Sequence, residues 1–297
     1  MKIGISTGNF HDSKALRDNR ILYREEGYRR MKAAGFDCAD YGYLSVTNGY
    51  LFTKSIEEAI EDAKLERQIA ESQGITISQA HGPWPTHETT PELRHQKLVW
   101  MERAVRITPH LGTPYLVIHP NLPYGWYDEE ADPEFTKKTN LELLNALLPI
   151  AEEVGTIICL ENMPTEPYKL SPTPETYKFI QEVNHPNLKM CFDTGHAHVF
   201  GDDCGDMVRL IAPAMKVMHV HDNMGECDMH LWPHEGTINW DNFAKGLADI
   251  KFDGVLSIEA TLYKNNNMIE DAEHFESACR MASIARAIAD KATKKYN

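Results

Sequence analysis

Eight short, apolar-rich runs recur along the chain, and a longer amphipathic stretch follows almost every one of them. The runs are KIGIS (2–6), FDCADY (36–41), ITISQA (75–80), PYLVIH (114–119), TIICLE (156–161), LKMCFD (188–193), MKVMHV (215–220) and GVLSIE (254–259). Intervening stretches such as ILYREEGYRRMKAAG, SIEEAIEDAKLERQIAESQG and PEFTKKTNLELLNALLPIAEEVG carry apolar residues near a 3.6 spacing, with Gly just past the end. Near-continuous apolar strands are buried on both faces, as in a parallel sheet covered by helices. Eight such units without an evident linker predict one (β/α)8 TIM barrel spanning 1–297, with its active site at the C-terminal ends of the strands, rather than an open doubly wound sheet. The segment STGNFHD after the first run is neither GxGxxG nor a Walker loop, which argues against dinucleotide and P-loop nucleotide binding.

A chain of 297 residues has room for one such barrel, which typically needs about 250. Its 42% hydrophobic and 25% charged residues are globular values. Thirty Lys and Arg stand against 44 Asp and Glu, a formal charge of −14, which opposes nonspecific attraction to a phosphate backbone and disfavours nucleic acid as a partner. No run approaches the roughly 18 apolar residues of a membrane span. The start MKIGISTGNF lacks the long apolar stretch of a secretory signal, so a cytoplasmic location is the default expectation. The six cysteines form no CxxC pair and read as free, mostly buried thiols. Nothing in the sequence opposes a homo-oligomer.

Chemistry-bearing side chains gather where a barrel places its site. His81 follows the third run directly; His119, Glu161, Asp193 and Glu259 end the fourth, fifth, sixth and eighth, and His219 stands one residue before the end of the seventh. His196 lies three residues beyond Asp193, and HDNMGECDMHLWPHEG after the seventh run supplies Asp222, Asp228, His230, His234 and Glu235. A single His in a strand is usually structural, but polar groups at one end of six successive strands are not a chance scatter. Buried Glu161 and Glu259 need a compensating charge, and few Lys or Arg end these strands. A divalent metal is the economical compensator, and imidazole favours Mn²⁺, Zn²⁺ or Co²⁺ over Mg²⁺. His11, His87, His95, His110, His185 and His274 read as surface or packing residues, whereas His198 and His221 adjoin the motifs and read as partners that orient the ligands.

The motifs QAHGPW, VIHPN, CLENMP, CFDTGHAH, VMHVHDN, DMHLWPHEGTINW and LSIEA together resemble the xylose isomerase-like superfamily, TIM barrels that include sugar isomerases, epimerases and endonuclease IV. The resemblance runs the length of the chain. From the ketose 3-epimerase branch it implies a metal held by Glu161, Asp193, His219 and Glu259, with His196 on a substrate oxygen. From the endonuclease IV branch it implies up to three zinc ions on His81, His119, Glu161, Asp193, His196, His219, Asp228, His230 and Glu259. That the chain has no Arg between Arg209 and Arg280 departs from the epimerase pattern, in which an Arg after the seventh strand often binds substrate. His234 stands in HEG where GEG is usual.

The sequence reading favours a metal-dependent isomerase or epimerase of carbohydrate metabolism acting on a small sugar or sugar phosphate. Glu161 and Glu259 would be the catalytic carboxylates, moving a proton next to a carbonyl with one ion the expected complement. The rim loops are acidic and aromatic rather than basic, and Trp84, Trp126, Trp232 and Tyr124 are candidates to stack on a sugar's C–H face. Its alternatives are an endonuclease IV-like phosphodiesterase, and a dehydratase or other lyase acting on a polyol or cyclic substrate.

Overall fold

The computed structural model describes residues 1–10, 21–45, 47, 49–84, 89–124, 132–165, 170–262 and 272–294. Eight parallel strands occur: β1 (Lys2–Ser6), β2 (Cys38–Tyr41), β3 (Thr76–His81), β4 (Tyr115–Ile118), β5 (Ile157–Glu161), β6 (Leu188–Asp193), β7 (Met215–His219) and β8 (Val255–Ile258). Their spatial order is β7-β6-β5-β4-β3-β2-β1-β8. The bridge Val220↔Ile258 closes the ring, with Val220 N–H donating to Ser257 O at 2.8 Å and Glu259 N–H to Val220 O at 3.1 Å. The chain is therefore a (β/α)8 barrel. All eight predicted runs hold a strand, with ends within two residues of the expected ones.

The described helices are α1 (Ile21–Ala34), α2 (Tyr50–Thr53), α3 (Ile56–Ser72), α4 (Pro91–Ile107), α5 (Pro133–Val154), α6 (Thr173–Val183), α7 (Thr194–Val199), α8 (Cys204–Ile211), α9 (Trp240–Asp249) and α10 (Ala272–Thr293). Local chemistry sets their ends. Ser55 and Glu58 make a reciprocal capping box at the start of α3, and Thr90 and Asp132 cap α4 and α5 ahead of a first-turn proline. Gly155 ends α5 in the left-handed region (φ 79°), where a Cβ would be strained. None of the described helices is long and apolar enough to cross a membrane.

Strand side chains alternate between two faces, and this period divides the apolar residues. Leu116, Ile118, Ile158, Leu160, Met190, Phe192 and Met218 join the large core shared with the helices. Val117, Cys159, Cys191 and Val217 form a separate small cluster on the other face, inside the barrel. Two residues further along the same strands, still on the inner face, stand His119, Glu161, Asp193 and His219. An apolar plug thus supports a polar layer at the C-terminal rim. Cys38, Cys159, Cys191 and Cys204 are free and buried, Cys227 is exposed, and Cys279 is partly buried.

A polar clamp joins the two ends of the described chain. Asp37 Oδ2 accepts hydrogen bonds from Ile3 N–H at 3.0 Å and from Arg286 Nη2 on α10 at 2.7 Å. Burial works against the Asp37 carboxylate, but these donors outweigh it and hold its pKa below the usual value of 3.8. A depressed folded-state pKa contributes stability above the unfolded value that is lost as pH falls through the folded one. Asp37→Asn should therefore lower stability by about 1 kcal/mol at pH 7, the clamp being only partly buried and so partly screened by solvent. In urea unfolding at descending pH, the gap between variant and parent should close below pH 3.8.

Candidate active site

Register builds the site. Asp193 is the β6 partner of His219 on β7, Glu161 pairs with Cys191, and His81 with Val117, two residues before His119. In β7 a one-residue slip between Met190↔Met215 and Cys191↔Val217 brings Asp193 level with His219. The rim residues border a cavity of about 330 Å³ lined by His81, His119, Glu161, His196, Asp228, His230 and Glu259, with Ser6, Asp40, Trp84, Met163 and Pro164 at its edges. Asp193 and His219 are fully buried.

The sequence-predicted quartet comes together: one ligand atom from each of Glu161, Asp193, His219 and Glu259 lies within 4.8 Å of the others. His219 Nδ1 stands 2.8 Å from Glu161 Oε1 and 3.3 Å from Glu259 Oε2. Glu161 Oε2 lies 3.2 Å from His119 Nε2, yet neither it nor Glu259 Oε2 has a well-aligned hydrogen bond among the described residues. Buried carboxylate oxygens without donors suit a cation. Asn162 shapes this set: its Oδ1 accepts Asp193 N–H at 2.9 Å and its Nδ2 donates to Asp193 O at 3.0 Å, while its carbonyl faces His196 Nδ1 at 2.8 Å.

Other groups of side chains that could hold a metal adjoin the quartet. His81, His119 and Glu161 form one, with the two imidazole Nε2 atoms 3.2 Å apart. His196, His221, Asp228 and His230 form another. Asp228 Oδ2 lies 3.4 Å from His196 Nε2 and 3.1 Å from His230 Nε2, and the His230 ring stacks on His221 at 4.2 Å. His221, read from sequence only as an orienting neighbour, sits with Nε2 3.0 Å from Asp193 Oδ2 and belongs to this second set. His230 is held at φ 47°, a left-handed conformation costing a non-glycine residue about 1 kcal/mol.

Charge is balanced by imidazoles. Burial disfavours ionised Glu161, but His219, His119 and His81 outweigh it and hold its carboxyl well below the usual range. Burial likewise opposes ionised Asp193, and His196 and His221 reverse the effect. Against its own burial, His196 is raised to about 10 by Asp193, Asp228 and Glu161, and His230 to about 9 chiefly by Asp228. Glu259 goes the other way: burial, with Glu161 and Asp193 nearby, raises its pKa despite His219 and His230. His119 falls to about 4 because burial exceeds the pull of Glu161.

Among the aromatic candidates, Trp84 borders the cavity, half exposed and tilted 42° to the His119 ring. Trp232 is placed elsewhere: its indole N–H donates to Thr261 O at 2.9 Å, and the Arg280 guanidinium stands 5.5 Å from the ring centroid. Tyr124 packs edge-on against Phe135, and Trp126 falls outside the described residues, as do His11 and His87. His198 faces Thr237 Oγ1 at 2.8 Å. The sequence reading did not single out Asp40 or Asn162. Asp40 had a signal, being a carboxylate on the inner face at the end of a predicted strand.

With this geometry established, comparison places the chain. A family model described as xylose isomerase-like TIM barrel matches residues 28–278, and the chain belongs to that family. An uncharacterised protein of Methanocaldococcus jannaschii is 34% identical over 166 residues, 54% of each chain. The D-psicose 3-epimerase of Ruminiclostridium cellulolyticum is 26% identical over 202 residues, 65% of this chain and 66% of that one. The matched regions thus span about half to two thirds of these relatives. A crystal structure of a D-tagatose 3-epimerase-like protein superposes with a TM-score of 0.72 at 22% identity, covering 98% of this chain and 97% of the other.

Asp222 organises the loop that carries Asp228 and His230. Fully buried, it accepts Asn223 N–H at 2.9 Å and Ile238 N–H at 3.2 Å on Oδ1, and His234 N–H at 3.0 Å and Trp240 Nε1–H at 2.8 Å on Oδ2. Asp222→Asn turns an amide N–H₂ toward donors and should cost about 3 kcal/mol in denaturant unfolding. Faster amide exchange confined to residues 223–238 would show that the loop, rather than the barrel, is what loosens.

Proposed function

We propose that the chain is a metal-dependent sugar isomerase or epimerase that moves a proton at a carbon next to a carbonyl. The observation that carries this is a pair of carboxylates, Glu161 fully buried and Glu259 partly so, that face the same nitrogen of His219 and line one cavity while their proton affinities are driven in opposite directions. Glu161 is held ionised and Glu259 is pushed toward its protonated form. Environments that drive two carboxyls apart in this way mark a base and an acid. Family membership and the likeness to a D-psicose 3-epimerase support the same reaction class.

In this reading Glu161, Asp193, His219 and Glu259 hold one divalent ion, Mn²⁺, Zn²⁺ or Co²⁺ in preference to Mg²⁺. When bound, such an ion polarises a carbonyl and its neighbouring oxygen. Glu161 takes the proton from the adjacent carbon, and Glu259 supplies one. His196, oriented through Nδ1 by the Asn162 carbonyl, donates from Nε2, whose contact with Asp228 is a long 3.4 Å, to a substrate oxygen. Trp84 offers an apolar face to sugar C–H bonds, while Met163 and Pro164 keep part of the wall dry.

A second reading, a phosphodiesterase of the endonuclease IV type, is favoured by the extra ligand sets at His81/His119 and at His196, His221, Asp228 and His230, since clustered ions suit phosphodiester hydrolysis. Against it stand the −14 charge and a cavity without Lys or Arg among the described residues, which leave little counterion-release drive for DNA.

Ketoses and ketose phosphates incubated with metal-loaded protein in D₂O should yield a product carrying solvent deuterium on the carbon next to the carbonyl. Conversion without exchange would instead indicate a hydride shift. Glu161→Gln and Glu259→Gln should each lower kcat by about 10²–10⁴-fold with unfolding midpoints near the parent's. A duplex with an abasic site should stay uncut and metal analysis should give about one ion per chain. Incision abolished by His81→Ala and Asp228→Ala would make the phosphodiesterase the better reading.

A further inference from the structure

Asp40 belongs neither to the quartet nor to the carboxylates assigned to proton transfer, yet it borders the same cavity. It stands near the end of β2, 3% exposed. Its Oδ2 lies 3.0 Å from His219 Nε2 and accepts a hydrogen bond from Gln79 Nε2 at 2.9 Å. Gln79 Nε2 also donates to the carbonyl of Met218 at 3.3 Å, so the residue holding Asp40 is tied to the strand that carries His219. A bulge makes this contact. Between Ala39↔Ile77 and Asp40↔Gln79 the register slips by one residue on β3, which sets Gln79 beside Asp40.

His219 is thereby engaged at both nitrogens, and the two sides differ. Nδ1 faces Glu161 and Glu259, whereas Nε2 faces Asp40. The His81 ring stacks on it at 5.6 Å with an interplanar angle of 10°, restraining rotation. An imidazole can give a lone pair to an ion through Nδ1 only if its proton resides on Nε2, and a carboxylate acceptor fixes that tautomer and strengthens the ligand. Asp40 Oδ1 has no hydrogen-bond partner among the described residues, so no competing contact turns the carboxylate away from the imidazole.

We propose that Asp40 is the positioning residue of the metal-binding histidine, holding His219 as the Nε2–H tautomer with Nδ1 turned toward Glu161, Asp193 and Glu259. This assignment rests on the metal-dependent reading above. It adds β2 to the strands that build the centre.

The test uses the full chain stripped of metal and titrated with Co²⁺, read by its visible absorption, and needs no substrate. Asp40→Ala should weaken Co²⁺ binding by about 10–100-fold, and Asp40→Asn, which keeps an acceptor oxygen, should recover part of the loss. Circular dichroism and unfolding midpoints followed in parallel identify any variant that fails to fold. Ring-¹⁵N spectra of the parent loaded with Zn²⁺ decide the matter independently of the variants: Nε2 protonated and Nδ1 ligated is the expected pattern for His219. A folded Asp40→Ala protein that binds Co²⁺ as tightly as the parent, or a spectrum with Nε2 ligated, overturns the role of Asp40 alone. A parent that binds neither ion overturns the metal reading and this assignment with it.

Discussion

Buried negative charge is the constraint around which the rim of this barrel is organised. Glu161 and Asp193 are almost wholly withdrawn from water, and Asp228 and Glu259 stand close by. Isolated carboxylates in such a setting would be prohibitive, and the structure answers with imidazoles rather than with Lys or Arg. His219, His196 and His230 take up the charge and hold protons well above the ordinary imidazole range. Imidazoles are exchangeable compensators, because each can give up its proton and become a metal ligand in place.

The scaffold makes this concentration of charge tolerable by separating it from what keeps the barrel folded. Inner positions of β4 to β7 carry Val117, Cys159, Cys191 and Val217 one layer below the charged groups, and the opposite face of the same strands packs on the helices. Apolar burial is thereby concentrated away from the rim. Polar groups there answer only to one another, to neighbouring loops and to whatever enters the cavity.

Beyond β7 the chain uses a different device. The segment from Asn223 to Ile238 has few apolar anchors, and the Asp222 carboxylate gathers its backbone instead. Gly195 belongs to the same arrangement: a Cβ there would stand 2.0 Å from His221 Cε1, so the absence of a side chain lets the imidazole lie against the first turn of α7. Gly236 has the same relation to Asp222 and the Asn223 carbonyl. The cluster of His196, His221, Asp228 and His230 thus depends on close backbone approach and on one buried carboxylate, whereas the quartet depends on sheet register.

Much of this architecture is legible in the order of the amino acids. Strand periodicity, helix spacing and capping residues specify eight βα units, since each is a local property read over ten or twenty residues, and the period of two places His119, Glu161, Asp193 and His219 on one face once a barrel is assumed. That His81, His196, Asp228 and His230 share a cavity with them follows from the same rule together with their nearness to strand ends. Three-dimensional packing alone decided the rest. Trp232 reads as a sugar platform in sequence but is engaged by Thr261 and Arg280, because a loop's course is set by distant hydrogen bonds that no local pattern records. Asp40 and His219 lie 179 residues apart, and the Gln79 that holds the Asp40 carboxylate is set beside it by a one-residue bulge in β3. The sequence by itself determined which kinds of side chain reach the rim; tertiary structure decided which nitrogen meets which oxygen, because register and bulges are fixed by the summed packing of the whole sheet.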